Sequence, residues 1–156
     1  GACTGLVAGL VVITPAAGFV EAWAALIMGI VVSPICFFCV SKLKYKLGYD
    51  DALDAFGCHG IGGIVGGILT GIFCVPELSW TDYGGLLYTG DPSLLISQIL
   101  GIVITIVFVA IATAIIAFIV KACFGGSLAV KAADEGQGMD VAQHGESAYP
   151  AFDGLD

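Results

Sequence analysis

The sequence predicts an all-α integral membrane protein. Four observations carry that class. Of the 156 residues, 58% are hydrophobic and only 12% are charged, whereas soluble domains carry about a quarter charged residues. The mean hydropathy is +1.02. Four apolar runs approach or exceed the ~20 residues needed to cross a hydrocarbon core about 30 Å thick. Finally, the five positive residues, all lysines, fall outside the centres of those runs.

The first run, residues 2–20 (ACTGLVAGLVVITPAAGFV), is small and apolar, and Pro15 is placed to kink or end it. The second, residues 22–40, carries no charge, and Pro34 is expected to bend it. The third covers 55–73. The fourth covers 92–124 and opens on Asp91-Pro92, an N-cap carboxylate followed by a proline suited to the first helical position. At 1.5 Å per residue it is roughly 45–50 Å long, so it must tilt or project into water. Residues 1–124 are thus expected to be membrane helices and 125–156 a polar tail.

Orientation follows from the lysines. Lys42, Lys44 and Lys46 lie between the second and third runs, which places the 41–54 loop in the cytoplasm of a multi-pass cell-membrane protein. The 74–91 loop is then outside; it has Glu77, Asp82 and Asp91 but no lysine. The tail, with Lys121 and Lys131, is inside. Trp80, Tyr83 and Tyr88 suit an outer aromatic belt. The chain opens on Gly1-Ala2-Cys3, inside an apolar run, without methionine or a basic leader. It is expected to be the C-terminal part of a longer polypeptide, or a processed or truncated form.

Composition also excludes functions. A net charge of −8 leaves no electrostatic footprint for nucleic acid. Half of that net charge follows from Lys121 onward, where two lysines meet six acids. The six cysteines lie almost entirely in apolar segments, where they act as small hydrophobes. Cys36 and Cys39 form a CxxC at helical spacing, without the loop or partner ligands of a metal or redox site. No cofactor, metal or catalytic residue is expected. An enzyme using His59 as a base would need a second acid or a nucleophile at membrane depth, and these runs hold none.

His59 sits in DDALDAFGCHGIGGIVGGILTGIF, residues 50–73. Gly63, Gly67 and Gly71 continue its line at steps of four, with Ala55 one step earlier. In lipid, small residues at that spacing let neighbouring backbones approach. Packing does not account for an imidazole. An ionisable group at membrane depth is costly and faces a partner or a polar path, so His59 is either a structural hydrogen-bonding group or a pathway residue. Asp50, Asp51 and Asp54 are placed to cap the helix that follows.

These residues resemble the signature of the ammonium transporter (Amt/Rhesus) family: paired aspartates followed by D-x-F-G-x-H-G-x-x-G-x-x-G. AGLVVITPAAGFV (8–20) is similar to the family's preceding proline-containing helix, and GMDVAQHGESAYP (138–150) to its cytoplasmic tail. The tail favours the bacterial or archaeal Amt type over the Rhesus branch. The resemblance implies an eleven-helix fold, two inverted five-helix repeats plus a last long helix, assembled as a homotrimer with one pore per subunit. This chain would supply the last four helices.

On the same resemblance, the chain transports ammonium or ammonia through a hydrophobic pore. His59 is the second member of a twin-histidine pair, Ala55 lines the inner pore and Phe56 packs nearby. The first histidine, the outer gate and the outer recruitment site belong upstream. Two imidazoles edge to edge can pass a proton and titrate as a coupled pair. Asp140, His144, Gly145, Glu146 and Tyr149 belong to a regulatory tail that couples pores and helps dock a PII signal protein. Residues 138–149 are expected to be ordered, with Asp140 and His144 contacting cytoplasmic loops and the 42–46 lysines nearby, while Pro150–Asp156 frays. An ammonium sensor, a Rhesus-type gas channel or a purely structural membrane subunit are the other readings.

Overall fold

The computed structural model of the chain describes residues 2–147. The expectations for Tyr149 and for Pro150–Asp156 lie outside the described residues. Among the described residues the structure is helical, with no strand. The chain divides into two compact units, Gly1–Val107 and Phe108–Asp156.

The first unit is built on α1 (Ala2–Ile13), α2 (Ala22–Phe38) and α4 (Ile61–Phe73). A single 3-10 turn, Thr14–Ala16, follows α1, with Pro15 inside it. The contact between α1 and α2 is written in steps of four. Ala8, Val12 and Ala16 are buried on one side; Ala24, Met28, Val32 and Cys36 are buried on the other. Residues four apart share a helix face, so small and branched side chains at that spacing give two complementary stripes.

The third member, α4, approaches through its glycines. Gly62, Gly66, Gly67, Thr70 and Gly71 are its buried residues. A Cβ on Gly66 would stand 2.5 Å from the Val12 carbonyl oxygen and 2.9 Å from Pro15 Cγ. A Cβ on Gly71 would stand 2.7 Å from Leu95 Cα, and one on Gly67 would stand 3.0 Å from Ile102 Cδ1. The glycine face thus meets α1 on one side and the start of α6 on the other. Thr70, polar and buried, donates its hydroxyl to the Gly66 carbonyl at 2.8 Å, which satisfies it within its own helix.

Among the described residues, three helices are long and apolar enough to cross a membrane: Ala22–Leu47, Phe56–Phe73 and Ser93–Cys123. The first apolar helix, Ala2–Ala16, is shorter, where the sequence led us to expect four spans. The second expectation also changes. The helix begun by α2 does not stop at residue 40. It passes through a π turn, Cys39–Leu43, into α3 (Lys44–Leu47) and ends at Gly48, whose φ is +67. Lys42, Lys44 and Lys46 therefore stand on the last turns of a helix, not in a loop. Lysine is a good helix former, and no breaker precedes Gly48.

Between α4 and α6 the chain folds back on the α1–α2 turn. Val75 N–H donates to the Phe19 carbonyl at 2.8 Å, and Gly85 N–H to the Cys74 carbonyl at 2.7 Å. Gly85 lies directly against the Ile72 carbonyl, where no side chain fits. The short α5 (Leu86–Thr89) brings Tyr88 to Glu21. The Glu21 carboxylate accepts from the Trp23 indole N–H and, at 3.0 Å, from the Tyr88 hydroxyl. Those two bonds, Trp23 first, hold the Glu21 carboxyl below its ordinary pKa.

The long helix α6 (Ser93–Cys123) starts on Asp91, whose Oδ1 accepts from Ser93 N–H at 3.0 Å and from its hydroxyl at 2.6 Å. None of its residues is buried. The second unit contains the end of α6, the α7 helix (Ala132–Gln137) and a π turn, Asp140–His144. Gly125 and Gly126, at φ +74 and +91, follow the helix end.

Two outcomes follow from this packing. Gly66→Ala would press a methyl into backbone that cannot yield, and should destabilise the protein by about 1–3 kcal/mol. A lower unfolding midpoint in detergent checks it, and an unchanged midpoint contradicts it. Because Glu21 has a lowered folded-state pKa, its contribution is present above pH 4.5 and is lost as pH falls through that lower value. An acid titration of indole fluorescence should show a transition below pH 4.5 that Glu21→Gln removes.

Candidate functional site

The segment that carries His59 begins with a loop closed by two side chains. Asp51 accepts three backbone N–H groups at the following helix start: Ala55 at 2.8 Å and Phe56 at 2.9 Å, with Gly57 at 3.4 Å. A helix start leaves these donors without partners inside the helix, and a carboxylate there also complements the positive end of the dipole. Asp54 has a left-handed backbone, with φ +54, and its Oδ1 accepts from Lys44 Nζ at 2.8 Å. The aspartates thus divide their work: Asp51 caps the helix, and Asp54 pairs with the end of the preceding helix.

The capped turn is a π turn, Phe56–Gly60, which runs into α4 at Ile61. Its wider turn sets the faces of its residues. Gly57 lies against Val40, where a Cβ would come within 2.6 Å of the valine Cγ2. Cys58 is buried, with its carbonyl 4.0 Å from the Cys36 thiol. With those two turned inward, His59 is turned out and exposed.

His59 stands where two clefts meet. One, of about 480 Å³, is bounded by Val7, Leu10, Val11, Thr14, Pro15 and Gly63 as well as His59. The other, of about 340 Å³, runs past Cys3, Thr4, Leu53, Asp54 and Ala55, sharing Val7 and His59 with the first. The walls are apolar on the first side, where Thr14 gives its hydroxyl to its own helix at the Leu10 carbonyl, 2.7 Å away. Pro15 has no N–H to offer the Val11 carbonyl. The two clefts share Val7 and His59; the first sets the imidazole among mostly apolar walls, and the second adds the Asp54 carboxylate.

The sequence-predicted residues fall into three groups. His59 and Ala55 share the smaller cleft. Phe56 lines neither cleft. Its ring packs edge-on against Tyr49, 5.7 Å between centroids at 86°, and shields Gly60. Ala55, His59 and Gly63 keep to one side at steps of four, and Phe56, one residue on from Ala55, falls off that side. In the tail, Asp140 and His144 are the two ends of one π turn. Gly145, at φ +68, ends it, and Glu146 N–H returns to the Asp140 carbonyl at 3.0 Å. Gln143 ties that turn to α7 through Asp134, at 3.2 Å.

Sequence reasoning missed the α1 wall opposite His59 and the pairing of Lys44 with Asp54. The α1 wall was signalled by the polar exceptions Thr4 and Thr14 in an apolar run. The lysine pairing carried no sequence signal once the lysines were read as a loop.

Comparison with known proteins places this helical membrane-type chain in a family. The family model described as Ammonium Transporter Family matches residues 1–149. An ammonium transporter of Bacillus subtilis is 50% identical over 149 residues, which is 96% of this chain and 36% of that protein. Ammonium transporter Amt1 of Archaeoglobus fulgidus is 40% identical over 150 residues, 96% of this chain and 37% of that protein. The crystal structure of Saccharomyces cerevisiae Mep2 is similar with a TM-score of 0.68 at 33% identity, over 84% of this chain and 30% of that one. The chain belongs to the Ammonium Transporter Family. It spans about a third of the length of the curated relatives it matches.

The cap gives a test of the local geometry. Asp51→Ala should weaken the start of the His59 turn by about 1 kcal/mol, and amide exchange at Ala55, Phe56 and Gly57 should rise. Asp51→Asn, which keeps an acceptor, should lose less. Unaltered exchange in Asp51→Ala would contradict the cap.

Proposed function

We propose that this chain forms the second half of an ammonium-conducting pore, with His59 facing the conducted species. The observation that carries this reading is the exposed imidazole shared by two clefts, next to the buried Gly57 and Cys58. A dehydrated ammonium ion in such a cleft is expensive. Ammonia is small and neutral, and an imidazole can take or return the proton. His59 pairs with a histidine from the rest of the transporter, Ala55 lines the inner end, and Phe56 supports the turn from behind.

Residues 1–124 form the membrane part and 125–156 a cytoplasmic tail. The lysines at the end of the second helix are cytoplasmic, and the segment 74–91 is outside. The subunit is a trimer in lipid. The π turn at Asp140–His144, its Gly145 stop, Glu146 and Tyr149 form a regulatory element that a PII signal protein contacts.

His59→Ala in the full-length transporter should lower proton-coupled ammonium current by about a hundredfold, the lower order contributed by a positioned acid–base group. Solid-supported membrane recordings on proteoliposomes check this, and a current of unchanged size and selectivity would defeat the reading. Deleting residues from 138 onward should leave insertion intact while weakening capture of a PII partner.

A further inference from the structure

Lys44 carries an ammonium group of its own and holds it against Asp54, which lines the smaller cleft. Its Nζ donates to the Asp51 carbonyl at 2.6 Å and to Asp54 Oδ1 at 2.8 Å. The same nitrogen lies 5.9 Å from the centroid of the Tyr45 ring. A carbonyl, a carboxylate and an aromatic face are the groups that bind a small nitrogen cation.

The carboxylate is held deliberately. Asp54 sits at φ +54, in the left-handed region that aspartate reaches more readily than most side-chain-bearing residues. That backbone turns it between two clefts: the 340 Å³ one it shares with His59 and Ala55, and a second of about 510 Å³ beyond α1, which also meets Ser33, Pro34 and Ser41. Its side chain is 30% exposed and that of Lys44 18% exposed, so the pair is partly withdrawn from water without being sealed. A bare carboxylate there would be a capture site for ammonium next to the conduction track. A tethered cation faces an effective concentration in the millimolar range or above, which free ammonium must exceed to displace it.

We propose that Lys44 is a built-in ammonium surrogate that fills the cation site of Asp54 and so keeps ammonium from being captured beside His59. The inference rests on the conduction reading above, in which the smaller cleft is the inner end of the path. It makes Lys44 a positioning residue for release: it touches Asp54, and through it governs whether the track has a trap. Lys44 need not touch the conducted species.

The test uses the full-length transporter in liposomes, with aspartate labelled at the carboxyl carbon, and ammonium chloride as the probe. In Lys44→Met, the Asp54 carboxyl resonance should respond at about tenfold lower ammonium than in the wild type, the ratio of roughly one charge-assisted hydrogen bond. Ammonium preloaded inside the vesicles should inhibit uptake at about tenfold lower concentration. Both effects should disappear in K44M/D54N, and Lys44→Arg should behave as the wild type. Lys44→Gln gives the same comparison if the methionine variant folds poorly. An Asp54 resonance equally indifferent to ammonium in the wild type, K44M and K44Q overturns the inference. So does a release defect that persists in K44M/D54N, which would make Lys44 only a pin for the loop. A carboxyl response as expected, in a wild type that passes no ammonium, would overturn the conduction reading and leave the cation site standing.

Discussion

In hydrocarbon, two helices gain nothing from hiding apolar surface, because the lipid is as apolar as they are. What remains is contact at short range. The architecture of the first unit depends on that constraint, and it is met at one place above all: the backbone of α4 at Gly66 rests on the Val12 carbonyl of α1. The stripes of α1 and α2, the position of the His59 turn and the two clefts are all set by how near α4 can come. Farther out, the same helix uses Gly67 and Gly71 to admit Ile102 and Leu95. The glycines thus serve two partners from adjacent faces.

A helix start leaves backbone N–H groups that find no acceptor within the helix itself. The chain satisfies them with side chains drawn from both sides of one loop. Asp51 takes the donors of the π turn, while Lys44 takes the Asp51 carbonyl and the Asp54 carboxylate. Cap, ion pair and left-handed residue thus form one assembly. The orientation of His59 is its output, since the turned-in Gly57 and Cys58 leave the imidazole only the outward direction.

The all-α class was legible because hydropathy reports on solvent directly, and a chain with so few charges has few alternatives. The capping role of Asp51 was legible too, since an aspartate ahead of a glycine-rich apolar run has one common use. What the sequence concealed were phase and end points. The lysines read as a loop because three charges in five residues look like water-exposed chain, yet a helix end tolerates them. Phe56, next to Ala55 in sequence, packs on Tyr49 and lines neither cleft, a contact that composition does not reveal. The bond between Glu21 and Tyr88 joins residues far apart in sequence, which local patterns do not connect.

The π turn has a consequence for how this segment can change in evolution. Substitution inside Phe56–Gly60 alters one side chain at a time. A π turn is wound around one residue more than an α turn, so loss of one residue there would restore α-helical winding with little change in the phase of the flanking turns. The segment can therefore shorten by one without rotating α4 against its partners, and what such a change removes is a side chain, not the register.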